Sequence, residues 1–123
     1  MSATIVREET FNPGDYSSEL DAAPGNLDVG TRLWFENDRV RVWEVRLRPG
    51  ERGPFHAHTR RYLWTVVDGG TGRQRSPDGT MITREYHVGD TSYSEHSPQQ
   101  PMIHDFENVG DTPIRFVTVE LLD

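Results

Sequence analysis

Glycine and proline recur at such short intervals that this chain has little room for long helices: 11 Gly and 8 Pro are spread over 123 residues. The longest stretch free of both, residues 31–48, itself carries a strand pattern. Val40 and Val42 alternate with Arg39 and Arg41, after which Trp43, Val45 and Leu47 alternate with Glu44, Arg46 and Arg48. Successive side chains on a strand face opposite ways, so the slip in phase between Val42 and Trp43 predicts a β-bulge there. Residues 31–36 predict an earlier strand, cut off by the Asn37-Asp38 turn.

Downstream, Pro49-Gly50, Gly53-Pro54, Asp68-Gly69-Gly70, Pro77-Asp78-Gly79, Gly89-Asp90 and Gly110-Asp111 are all turn signals. The segments between them, at 62–67, 72–76, 81–88, 102–108 and 114–122, read as short strands, 62–67 and 114–122 being the richest in β-branched and aromatic residues. Eight or so short strands, with turns every roughly 8–12 residues, predict an all-β sandwich or barrel. Residues 1–30 differ, being turn-rich with few periodic apolar positions. They are expected to form an irregular arm, lying across the barrel or a neighbouring subunit, or else a loosely ordered terminus. The whole chain, 1–123, is expected to be one domain, with the barrel over 31–123.

Composition removes several function classes. Only 33% of residues are hydrophobic, a lean supply that points to a small core padded by polar loops. Acidic residues outnumber basic ones 20 to 13, for a net charge of -7, which argues against nucleic acid as the main partner. There is no cysteine, hence no disulfide, no thiolate nucleophile and no zinc-thiolate site. No apolar run approaches the roughly 20 residues of a membrane span, and the N-terminus lacks the pattern of a secretory signal. A cytoplasmic protein without membrane partners is expected. Its chemistry must come from His, carboxylates, Tyr or a bound metal.

His56-Ala57-His58 is the first feature suited to such chemistry. Residues i and i+2 of a strand share a face with Cα atoms about 6.6 Å apart, close enough for two imidazoles to converge on one ion. The pair sits in a longer spacing: Gly50, five residues, His56-Ala57-His58, three residues, Tyr62, six residues, Gly69. This resembles the first motif of the cupins, G-x5-H-x-H-x3-E-x6-G, with Tyr62 in place of its Glu. The second cupin motif, G-x5-P-x-G-x2-H-x3-N, resembles the run from Gly89 to His104 and Asn108. Here the loop is four residues longer and Pro101 stands where the second Gly would be. Residues 37–45 (NDRVRVWEV), followed by Pro49-Gly50-Glu51, further resemble small bacterial cupins of the type named for β-alanine degradation.

The resemblance covers residues 31 to 122 or so and implies a double-stranded β-helix, or jelly-roll barrel. It implies that His56, His58 and His104 project inward as ligands to a divalent metal ion, with Fe, Ni, Zn and Mn all open. In the family the Glu at position 62 supplies the one carboxylate of the ligand set, so Tyr62 is the main departure. A phenol ligates a divalent ion poorly, so Tyr62 is expected beside the site as a wall or hydrogen-bond donor, or as an aromatic filling the vacated space. Arg60 shares strand parity with His56 and His58, which would let it clamp a substrate carboxylate; the competing reading makes residues 59–61 a solvated bend. Glu95 and His96 lie in the longer loop and would reach the site only if that loop folds over the barrel mouth. His87 is expected on a partly exposed strand end.

Three functions are consistent with these residues. The first is a metal-dependent enzyme acting on a small polar or carboxylated metabolite, with dioxygenase or Lewis-acid isomerase or lyase chemistry. The second is a binding or sensing protein that has lost its chemistry along with the motif Glu. The third is a metal-free, epimerase-like enzyme using a His and Tyr62 as acid and base. A homodimer is expected, paired through the early strand that carries Trp34, Phe35 and Val40.

Overall fold

The computed structural model describes residues 3–122 and contains ten strands among them, all paired antiparallel. In chain order they are β1 Thr4–Thr10, β2 Arg32–Glu36, β3 Val40–Leu47, β4 Arg52–His58, β5 Arg61–Asp68, β6 Gly70–Arg75, β7 Thr80–Tyr86, β8 Thr91–Ser94, β9 Met102–Asn108 and β10 Ile114–Leu121. They form two five-stranded sheets, ordered β1-β7-β6-β9-β4 and β2-β3-β10-β5-β8. This is the all-β barrel expected from the strand and turn pattern, in the jelly-roll arrangement that the resemblance to the cupins implies.

Between the sheets lies a core of Leu47, Val66, Tyr86, Phe106, Ile114 and Phe116, with Val45 and Trp64 packed against it. β10 shows how the sequence builds it. Ile114, Phe116, Thr118 and Glu120 are buried, and they alternate with the half-buried Arg115, Val117, Val119 and Leu121. The strand is flanked on one edge by β3 and on the other by β5, so both rows of its backbone hydrogen bonds are satisfied. Buried Glu120 is not left bare, since the Trp43 indole donates to it at 2.7 Å and Arg41 pairs with it at 3.5 Å.

Two expectations need correction. The bulge predicted between Val42 and Trp43 lies on the partner strand. β3 runs unbroken against β10, whereas in β2 Leu33 pairs with Trp43 and Phe35 with Val42, leaving Trp34 as the extra residue. The phase slip in β3 instead reflects partial cover on both its faces, Val40 and Val42 being half-buried.

The N-terminal arm is also more regular than expected. β1 adds to the free edge of β7, with all seven of its residues exposed. It gains backbone hydrogen bonds without burying a face, which is why no alternation marks it. A helical turn (Pro13–Tyr16), the short helix α1 (Ser17–Ala22) and another turn (Ala23–Gly25) follow, crossing the outside of β4 in the same chain. Glu19 of α1 accepts from both terminal nitrogens of Arg52, at 3.1 and 2.7 Å, and from the Phe55 amide at 2.6 Å. Arg52 also binds Asp105 at 2.7 Å, and Arg75 binds the same carboxylate at 3.0 Å. The Tyr16 ring lies against both guanidinium groups, 4.7 Å from Arg52 and 5.3 Å from Arg75. Phe11, Tyr16 and Phe55 complete an aromatic cluster on this outer face.

Candidate metal centre

β4 and β9 are neighbours, and their register sets His56 directly opposite His104. The register shifts by one residue between Gly53 and His56, where Pro54 supplies no amide hydrogen to the ladder. Beyond the shift the period of two holds, so His56 and His58 face inward while Phe55 and Ala57 lie under the N-terminal segment. Gly50 and Gly89, which open the two motif-like stretches, have φ of 85° and 90°, a left-handed backbone that glycine adopts without strain.

The three rings form a nearly equilateral triangle, with centroids 4.9, 4.7 and 4.8 Å apart. Their Nε2 atoms converge: His58 Nε2 lies 3.2 Å from that of His56 and 2.9 Å from that of His104. His56 Nδ1 donates to the Pro54 carbonyl at 2.9 Å, which holds its proton there and leaves Nε2 as a lone pair. His104 Nδ1 contacts the Gln74 amide, while His58 Nδ1 is buried with no hydrogen-bond partner. Burial drives the basicity of all three rings down. His58 falls to about 2, with His56 and His96 adding to the effect, and His56 and His104 also lie below their ordinary value. The rings are therefore neutral at physiological pH, the form that ligates metal.

Three neutral imidazoles, with His58 Nε2 about 3 Å from each of the other two and all three donor atoms within 4.8 Å of one another, fit a divalent ion with metal–nitrogen bonds of about 2.0–2.1 Å. His56, His58 and His104 would hold it. Tyr62, on β5, is buried and stacks on the His58 ring, with centroids 4.0 Å apart and planes 15° apart. Burial pushes its phenol pKa up, so it stays protonated. Position 62 thus supplies an aromatic wall against one imidazole where the motif has a charged ligand.

The other candidates separate clearly. Arg60 does not reach the cavity, which corrects the inward reading: it is exposed in the bend between β4 and β5 and donates to the Leu122 carbonyl at 3.4 Å. His96 comes near the site, its ring 5.8 Å from Tyr62 and 6.4 Å from His58, and its Nε2 pairs with Ser94 at 2.6 Å. It is outside the converging triad. Glu95 is exposed and accepts from Tyr93, and His87 is exposed beside Asp90.

The triad opens into a cavity of about 810 Å³ between the sheets. Its walls include Trp64, Tyr86, Phe106 and Phe116, together with Gln74 and Arg84, which the sequence reading did not single out. Arg84 precedes Tyr86 by two on β7, and this shared parity with a buried aromatic is the signal that could have found it.

No protein-family model and no curated protein matches the chain. Solved structures do. The chain is similar to a cupin domain from Bordetella pertussis, with 26% identity, a TM-score of 0.65, and coverage of 73% of this chain and 88% of that one. It is also similar to a conserved double-stranded β-helix protein from Klebsiella pneumoniae (20% identity, TM-score 0.58, 90% of this chain and 87% of that one). A third likeness, in fold alone, is to a polyketide cyclase from Streptomyces resistomycificus (20% identity, TM-score 0.55, 75% and 63%). With two facing antiparallel sheets and a histidine triad inside them, the chain is a small protein of the cupin superfamily.

Proposed function

We propose that this cupin is a metal-dependent enzyme acting on a small polar, carboxylated molecule inside the barrel. The observation that supports this most directly is the convergence of three histidines that line a large cavity. Three neutral ligands leave the full charge of a divalent ion uncancelled, which favours anionic substrates. The bound ion would supply dioxygen chemistry if it is iron, and Lewis-acid chemistry such as isomerisation or lyase steps if it is nickel, zinc or manganese. The protein's own residues bind and orient the substrate, and the aromatic walls exclude water. Elemental analysis of protein purified without a His tag tests the reading: about one ion per chain supports it, and none after reloading with these four metals overturns it.

Tyr62 favours a second reading, a ligand-binding cupin without turnover, because a protonated phenol stands where a carboxylate is expected. A ligand that co-purifies and survives incubation with metal and O2 unchanged would support it. The metal-free epimerase reading gains no support: burial makes Tyr62 a weaker acid and the histidines weaker bases.

Tyr62→Phe keeps the ring stacked on His58 and removes only the hydroxyl, so metal content should match the parent. Tyr62→Glu adds a charged ligand at the motif position and should bind divalent metal more tightly. Calorimetric titration of both variants checks the pair. Loss of metal from the Phe variant would make Tyr62 a ligand in its own right.

We further propose that the protein pairs with a second copy and acts in the cytoplasm without nucleic-acid or membrane partners. β2 is an edge strand, and Leu33, Trp34 and Phe35 on it are 42%, 46% and 53% exposed. An uncovered apolar edge of this kind invites strand pairing. No helix among the described residues is long and apolar enough to cross a membrane. Light scattering should return twice the mass of one chain, and Phe35→Asp should halve it. A single-chain mass for the parent across micromolar concentrations would refute the dimer.

A further inference from the structure

The buried and half-buried guanidinium groups described above are matched to carboxylates: Arg52 to Glu19 and Asp105, Arg75 to Asp105 and Glu107, Arg41 to Glu36 and Glu120. Arg84 differs. It is half-buried, lines the cavity, and has no carboxylate partner among the described residues. Its Nη1 donates to the Gln74 side-chain oxygen at 3.2 Å, and the Gln74 amide in turn touches His104. The Arg84 side chain also hydrogen-bonds the Tyr86 phenol, so it links the aromatic wall to Gln74 beside the triad.

These neighbours are all neutral. They accept single hydrogen bonds but leave a cation uncompensated inside a partly closed barrel. A guanidinium presents five donors in a planar fork, and the group that answers both its charge and its shape is a carboxylate. Beside it, the Trp64 and Phe116 rings stack 5.3 Å apart and 16° from parallel, and Tyr86 packs edge-on to Phe106 at 5.6 Å. All four line the same cavity. That wall suits a flat apolar frame rather than a heavily hydroxylated one.

We propose that Arg84, steadied by Gln74, is the anion subsite of this cavity, and that the ligand it selects is a carboxylate on a small aromatic or apolar frame. The proposal rests on the cavity being a ligand site, as argued in the preceding section, and assigns that ligand's chemical class. Arg84 thus takes the clamping role that the sequence suggested for Arg60.

Benzoate, benzamide and inorganic phosphate serve as probes, titrated into both metal-stripped and Zn(II)-loaded full-length protein. Binding is read by tryptophan fluorescence and by calorimetry. Benzoate should bind both forms at least about tenfold more tightly than the isosteric, uncharged benzamide or than phosphate. Arg84→Gln should lose at least about tenfold in benzoate affinity while its weak benzamide binding and its Zn(II) content stay at the parent values. Arg84→Lys, which keeps the charge and loses the fork, should fall between the two and guards against a Gln variant that does not fold. Equal binding of benzoate and benzamide, preference for phosphate, no benzoate binding to either form, or full benzoate affinity in both variants would overturn the subsite. Failure of the parent to take up Zn(II) would count against the metal centre alone, since the metal-stripped titrations still test Arg84.

Discussion

Alanine at His56, His58 or His104 is expected to weaken divalent-metal affinity by roughly tenfold or more, while His87→Ala leaves it at the parent value. Each of the three supplies one corner of a triangle of converging nitrogens, and two remaining imidazoles make a poor chelate. His87 lies exposed beyond the end of β7 and contacts Asp90 instead. Calorimetric titration with Zn(II) or Ni(II) measures the difference directly. Thermal unfolding offers a second reading, because an ion held only by the folded state raises stability with the logarithm of its concentration over its dissociation constant. Equal loss of affinity in the His87 variant would remove the basis for the assignment.

A larger effect on stability is expected on the opposite face of the same strands. Asp105 is fully buried and receives the Arg52 Nε at 2.7 Å, the Arg75 Nη1 at 3.0 Å and the Arg75 amide at 2.7 Å. Asp105→Ala removes the buried acceptor shared by the two guanidinium groups and the Arg75 amide, leaving Arg52 with Glu19 alone and Arg75 with Glu107 alone, which should cost about 3 kcal/mol. Glu19→Ala cuts the same network at a more exposed carboxylate and should cost less. Urea denaturation at constant slope checks both, and an Asp105 variant as stable as the Glu19 variant would show that the network contributes little.

How much was legible in the sequence follows from how local each feature is. The His pair was legible from the period of two, which sets His56 and His58 on one face of a strand, and Tyr62 from the spacing that resembles the first cupin motif, all within one strand–turn–strand unit. His104 was legible through the second spacing, although its loop is longer than the pattern. β1 was hidden because it pairs without burying a face, and α1 because six residues are too few for a helical period to show. Arg84 and Gln74 were hidden for a different reason. A polar residue alternating on a strand looks solvent-facing, and only the pairing of β6 with both β7 and β9 shows that Gln74 and Arg84 share the inner face with His104. Arg60 failed in the opposite way, since its parity extrapolated a strand that ends at His58.

The pairing order of the sheets bears on how the chain reaches this structure. Among the described residues, only β2–β3 and β6–β7 join strands that are adjacent in the chain; β1–β7, β3–β10, β4–β9 and the rest close long loops. Folding of such a barrel is slow compared with helical domains of the same length, because loop-closure entropy must be overcome before contacts form. The ligand set is split by that same topology. His56 and His58 arrive together on β4, but His104 comes from a strand far later in the chain and meets them only when β9 docks. Two imidazoles alone would hold an ion weakly, so an ion at this site would bind after barrel closure. It would then lock a barrel that has already formed, acting on its rate of unfolding rather than on its rate of folding.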